Sequence, residues 1–87
     1  MSSETREHRL KRLHMRSIRR GIKEMDIILT GFSLSALADL AAAELDLYEA
    51  LLDENDHDLY GWVSGQLATP EKYLTLITKI AAIHKAA

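Results

Sequence analysis

The chain has 87 residues, 47% hydrophobic and 28% charged, with a net charge of −2 and no cysteine. This length and composition suit one small domain and exclude a disulfide framework, a thiolate metal site and, with no apolar run near about 18 residues, a membrane-spanning helix. Charge is unevenly placed: eight of the eleven Lys and Arg residues precede Asp26, together with only three of the thirteen acids, so a basic arm leads into an acidic body.

No stretch alternates apolar and polar residues with β-branched enrichment, so strands are not expected. The spacing predicts an all-α fold, a single small five-helix bundle over residues 1–87. The first helix spans 3–20, capped by Ser2 or Ser3, with Leu10, Leu13 and Ser17 along one stripe. Gly21 interrupts it, because a glycine inside a helix costs about 1 kcal/mol relative to alanine. The second spans 22–30, with Ile22, Met25 and Leu29 on one face, and Gly31 ends it. The third spans 34–52 behind a Ser33 or Ser35 cap, with Leu37, Leu40, Ala41, Tyr48, Leu51 and Leu52 at helical spacing. A polar turn at 53–56 opens a fourth helix over 56–64, capped by Asn55 or Asp56 and carrying Leu59, Trp62 and Val63. Thr69, Pro70 and Glu71 then supply a cap, a proline at the first helical position and an acid in the first turn of a fifth helix over 70–85. Trp62 reads as a core anchor.

Chemistry is sparse. His8, His14, His57 and His84 form no H-x-x-x-H pattern, so no metal ligand is assigned. There is no G-x-S-x-G elbow, P-loop or G-x-G-x-x-G, so no catalytic residue is assigned and no nucleotide cradle is expected. The carboxylates of 53–58 lack the ligand order of a calcium loop. The protein therefore reads as a binding protein and not an enzyme. Its first residues lack an apolar signal region, and Glu4 and Glu7 fit a transit peptide poorly, so a cytoplasmic protein is expected.

The segment from Arg19 to Asp26 stands apart. Two arginines, Gly21 and then Glu24 and Asp26 lie where the charge of the chain changes sign. Arginine offers a planar fork for carboxylates and carbonyls, and glycine lets a backbone approach closely. Arg20 precedes Glu24 by four residues, the weaker order for a helix-stabilising pair. Arg20-Gly21-x-x-Glu24 with Asp26 and Phe32, followed by Leu51-Leu52, Asp56-x-Asp58-Leu59-Tyr60-x-Trp62 and Pro70, resembles the succinate dehydrogenase flavinylation factors. These are the bacterial SdhE-type FAD assembly factors and the related mitochondrial assembly factor. The resemblance spans 9–83. Where many members carry an aromatic residue before the arginines, this chain has Met15 and Ile18.

The resemblance implies a five-helix protein that binds the flavoprotein subunit of succinate dehydrogenase or fumarate reductase and promotes covalent FAD attachment. It implies a client-binding role for Arg19, Arg20, Gly21, Glu24 and Asp26, with FAD belonging to the client and none stably bound here. The alternative is a small helical interaction module, or a nucleic-acid-binding regulatory module that uses the basic first helix. Against nucleic acid, the acidic body would repel phosphates, and no aromatic residue is interleaved with the basic ones. Neither nucleic-acid binding nor membrane insertion is expected.

Overall fold

A computed structural model describes residues 4–86, and the Ser2 and Ser3 cap candidates lie outside them. Five α-helices follow in order: α1 (Arg6–Ser17), α2 (Lys23–Ser35), α3 (Ala42–Leu52), α4 (Asp56–Ser64) and α5 (Leu74–Ala86). Short 3-10 turns at Leu37–Asp39 and Glu71–Tyr73 precede α3 and α5. No strand occurs among the described residues. None of their helices is long and apolar enough to cross a membrane.

The centre of the bundle is α2, which touches α1, α4, α5 and the first 3-10 turn. It buries Met25, Ile28, Leu29 and Phe32 against Leu13 of α1, Leu45, Tyr48, Leu51 and Leu52 of α3, Leu59 of α4 and Ile77 and Ile80 of α5. Burying each such side chain stabilises by about 1.5–3 kcal/mol. That burial explains the first departure from the expected boundaries. Helix α2 runs through Gly31 to Ser35, because Ile28, Leu29 and Phe32 on either side outweigh the glycine's cost.

Other boundaries move for local reasons. Helix α1 starts behind Thr5, whose hydroxyl accepts the His8 N–H at 3.1 Å. It stops at Ser17, since Ile18 is extended and Arg19 is left-handed with φ 56°. Helix α3 begins eight residues later than expected, at Ala42. Ser33 and Ser35 belong to α2, and the 3-10 turn buries Leu37 and Leu40 before the chain turns again. The Glu44 carboxylate accepts the Ala41 N–H at 3.1 Å and fixes the new start. Asn55 caps α4 as expected, through the His57 N–H at 2.8 Å. Gly65, at φ 84°, ends α4 in the left-handed conformation. Pro70 precedes the 3-10 turn rather than the α-helix itself. Trp62 is half-buried, packed on Tyr73 with ring centroids 5.6 Å apart. Phe32, Tyr48 and Tyr73 are the fully enclosed aromatics instead.

Candidate functional site

The arginines of α1 recur every three or four residues, so they form one stripe along the helix. The fold lays that stripe over α3. Arg9 reaches Asp46 at 2.6 Å and Glu49 at 3.1 Å. Arg12 reaches Glu49 at 2.7 Å and Glu4 at 2.8 Å, and Arg16 pairs with Asp53. Arg6 donates instead to the backbone carbonyls of Ala38 at 2.9 Å and Leu40 at 2.7 Å. The hydrogen bond from Arg12 is the main cause holding the Glu49 carboxyl below its ordinary 4.5, and it lowers Glu4 in the same way. Arg9, Arg12 and Arg16 of the basic arm are thus engaged by the protein's own acids. A phosphate backbone would have to displace them, which removes the physical basis for the nucleic-acid alternative.

The stripe ends at the junction between α1 and α2, where the candidate residues gather. Arg20 turns inward, with its side chain only 11% exposed. Its Nε donates to Asp56 Oδ1 at 2.8 Å, Nη1 to the Arg16 carbonyl at 2.9 Å and Nη2 to the Leu52 carbonyl at 3.0 Å. One guanidinium therefore serves orphan carbonyls in the last turns of both α1 and α3. Gly21 donates its N–H to the other carboxylate oxygen, Asp56 Oδ2, at 2.7 Å. A Cβ on Gly21 would lie 2.8 Å from that same oxygen, so any larger residue here would make the Asp56 carboxylate shift. Its φ is not in the left-handed region; Arg19 occupies that region instead.

Asp26 faces back across the junction. Its Oδ1 accepts the Arg19 N–H at 2.9 Å and the Thr30 hydroxyl at 3.2 Å. Beneath the junction, the Ser17 hydroxyl donates to the Leu13 carbonyl at 2.7 Å and shares a 2.6 Å hydrogen bond with the Tyr48 hydroxyl. Burial pushes the Tyr48 phenol up to about 12, against the opposing effects of Ser17 and the Arg20 charge. His14 forms a hydrogen bond with Ser33.

The five candidates therefore divide. Arg20, Gly21 and Asp26 are committed to internal bonds, whereas the side chains of Arg19 and Glu24 are exposed and make no hydrogen bond or ion pair with the described residues. Glu24 begins a stripe along α2 that continues through Ile27, Gly31 and Leu34. Ile27 is 55% and Leu34 73% exposed, and Met15 on α1 is 60% exposed. Exposed apolar residues aligned beside unpaired charges are suited to meeting another protein. Among the described residues, no group of three or more His, Asp or Glu is placed to hold a metal.

Asp56 is the residue that the sequence alone did not single out for this site. Its sequence signal is its place at the head of the second motif block, and the structure frees it for this task because Asn55 caps α4.

The family described as flavinator of succinate dehydrogenase matches residues 11–84. The mitochondrial succinate dehydrogenase assembly factor 2-B of Drosophila mojavensis is 38% identical over 80 residues, 90% of this chain and 51% of that protein. The corresponding assembly factor 2 of Schizosaccharomyces pombe is 40% identical over 72 residues, 83% of this chain and 52% of its own. That of Candida glabrata is 39% identical over 74 residues, 82% and 48% of the two chains. The chain thus spans about half the length of these relatives. All three are named as mitochondrial, which overturns the expectation of a cytoplasmic protein. That expectation rested on the charges of the first residues, and compartment is set by targeting signals that the packing of a folded body does not encode. Matched along most of its length by the family and by these relatives, the chain belongs to the flavinator of succinate dehydrogenase family.

Proposed function

We propose that this protein binds the flavoprotein subunit of succinate dehydrogenase, or its fumarate reductase relative, and promotes covalent attachment of FAD to it. The observation that carries this reading is the division of the junction. Arg20, Gly21 and Asp26 hold a fixed backbone, from which Arg19 and Glu24 project unpaired beside the exposed Ile27 and Leu34. Arg19 and Glu24 contact the client directly, while Arg20, Gly21 and Asp26 shape the surface they stand on. Met15 adds an adaptable apolar contact where relatives carry an aromatic.

The protein acts as a helper and not as an enzyme. The isoalloxazine of FAD supplies the electrophile for its own attachment to the client. The helper's task is to favour the client conformation in which the reacting groups meet, and it can shift that equilibrium only by its difference in affinity for the two client states. FAD is held by the client. In support, a cleft of about 480 Å3 between α2 and α5 is lined by Ile27, Ile28, Gly31, Ser35, Ile83, His84 and Ala86. Ser35 is the last residue of α2, where the carbonyl end of the helix repels a pyrophosphate.

Glu24→Ala tests the reading. The residue is exposed, so its loss changes stability by less than about 0.5 kcal/mol. The purified variant is expected to melt like the parent and yet fail to raise covalent flavin on the apo flavoprotein subunit, read as flavin fluorescence in a denaturing gel. Full flavinylation by the folded variant would overturn the site assignment.

A further inference from the structure

The client reading leaves unexplained why a carboxylate from α4 should be spent on the junction between α1 and α2. Asp56 lies 35 residues beyond Gly21 in sequence, and its two oxygens accept from adjacent residues, Arg20 Nε at 2.8 Å and Gly21 N–H at 2.7 Å. The carboxylate therefore ties the Arg20 guanidinium and the Gly21 backbone N–H to one point on α4. The side chains of Arg20 and Asp56 are 11% and 17% exposed, so the pair is largely withdrawn from water. Ion pairs in such settings are often close to neutral in net stability when compared with apolar replacements. What they supply with certainty is direction: each charge-assisted bond is short, and together they fix where the backbone lies.

Fixing is needed here because the neighbouring residue is strained. Arg19 is a bulky residue at φ 56°, a conformation that brings a side chain's Cβ too close to the following carbonyl oxygen. It persists between two aspartate anchors: Asp26 Oδ1 holds the Arg19 N–H at 2.9 Å, and Asp56 holds the following two residues. Between those anchors the Arg19 side chain is directed into solvent. Glu24 follows in the first turn of α2. Without Asp56, the segment 19–21 could relax away from the left-handed conformation, and the arginine would leave its place relative to Glu24.

We infer that Asp56 is a positioning residue for client binding, acting through Arg20 and Gly21 to present Arg19 and Glu24 to the client as one rigid unit. The inference rests on the docking role proposed above for the junction. It also makes the two separated sequence blocks, Arg20-Gly21-x-x-Glu24 and Asp56-x-Asp58, halves of one device. A Cβ on Gly21 would lie 2.8 Å from the Asp56 oxygen, so a larger residue there would push the carboxylate out of its place.

The test uses the full chain and the purified apo flavoprotein subunit of succinate dehydrogenase as probe. Asp56→Asn preserves volume but replaces one acceptor oxygen with a donor, so it cannot serve Arg20 and Gly21 together. It is expected to weaken client binding by about tenfold or more. Ile80→Val, a core deletion in α5, provides a control for loss of stability by itself and is expected to bind as the parent does. In an Arg19→Ala background, Asp56→Asn should have less than about a twofold further effect, because Arg19 is the side chain that Asp56 places. Asp56→Asn binding like the parent, or its loss adding in full to that of Arg19→Ala, overturns the inference. Parental binding by Glu24→Ala overturns the docking reading beneath it, so the two failures are distinguishable.

Discussion

Arg9, Arg12 and Arg16 lie along α1 and each reaches an acid on α3 or in the turn after it, whereas Arg19 and Glu24, at the far end of the same charged stretch, are unpaired among the described residues. In the sequence these residues look alike. The fold separates them into an internal fastening, which closes α1 onto α3, and a surface left open for a partner. A basic segment is thus poor evidence for a polyanionic ligand until its own acids have been accounted for. Charge that stays unpaired while its neighbours are tightly held is better evidence of a binding surface. Arg19 and Arg20 show the contrast most sharply, because adjacent guanidiniums meet opposite fates.

Arg20→Ala is the most disruptive way to probe this contrast. It removes three hydrogen bonds and leaves the half-buried Asp56 carboxylate with one partner fewer. A loss of about 2–4 kcal/mol is expected, read from denaturant unfolding. In a domain of this size each kcal/mol lowers the thermal midpoint by roughly 4–8 °C. A midpoint close to the parent's would mean that Arg20 does not fasten the junction.

The fastening along α1 should show itself in acid. The Arg12 hydrogen bond lowers the Glu49 carboxyl in the folded state, so its contribution to stability is present above the ordinary value of 4.5 and is lost as pH falls through the lowered one. Stability should therefore decline below pH 4.5, and Glu49→Gln should flatten that decline. Unfolding curves collected across the acid range would check this. At the alkaline end the sign reverses. Tyr48 and Tyr73 are raised from 10 to about 12, chiefly by burial, so the stability they hold in the neutral form is lost as pH rises from 10 through 12.

The smallest effect sharpens the comparison from the open side. Arg19→Gly removes the cost of a left-handed arginine, although it also loosens the unfolded chain. A net gain of up to about 1 kcal/mol is expected in thermal unfolding. The same variant should bind the flavoprotein subunit less well than the parent. Greater stability with weaker binding would identify Arg19 as a residue kept for its partner at some cost to the fold. Unchanged binding would assign the client contact to Glu24 and its apolar neighbours alone.

Much of the scaffold was legible because its signals are local. Asn55 and the helix repeats of Leu51, Leu52 and Leu59 act over three or four residues, within reach of a side chain and its own backbone. The start of α3 was hidden for the same reason. Ala41, Ala42 and Ala43 favour helix without marking where it begins, and the polar residues upstream belong to α2. Gly31 misled because a propensity cost of about 1 kcal/mol is small beside the burial of its neighbours.

By itself, the sequence determined the helical class, the break between the first two helices, the segregation of charge and the order of the two motif blocks. Their composition, period and spacing are properties of the chain wherever it goes. Tertiary structure alone decided that α1 would spend its arginines on α3, that Arg20 would turn inward while Arg19 stayed in water, and that Asp56 would meet Gly21. Those outcomes depend on contacts spanning 31 to 40 residues, and which carboxylate a guanidinium finds is settled only when the buried apolar faces bring the helices together.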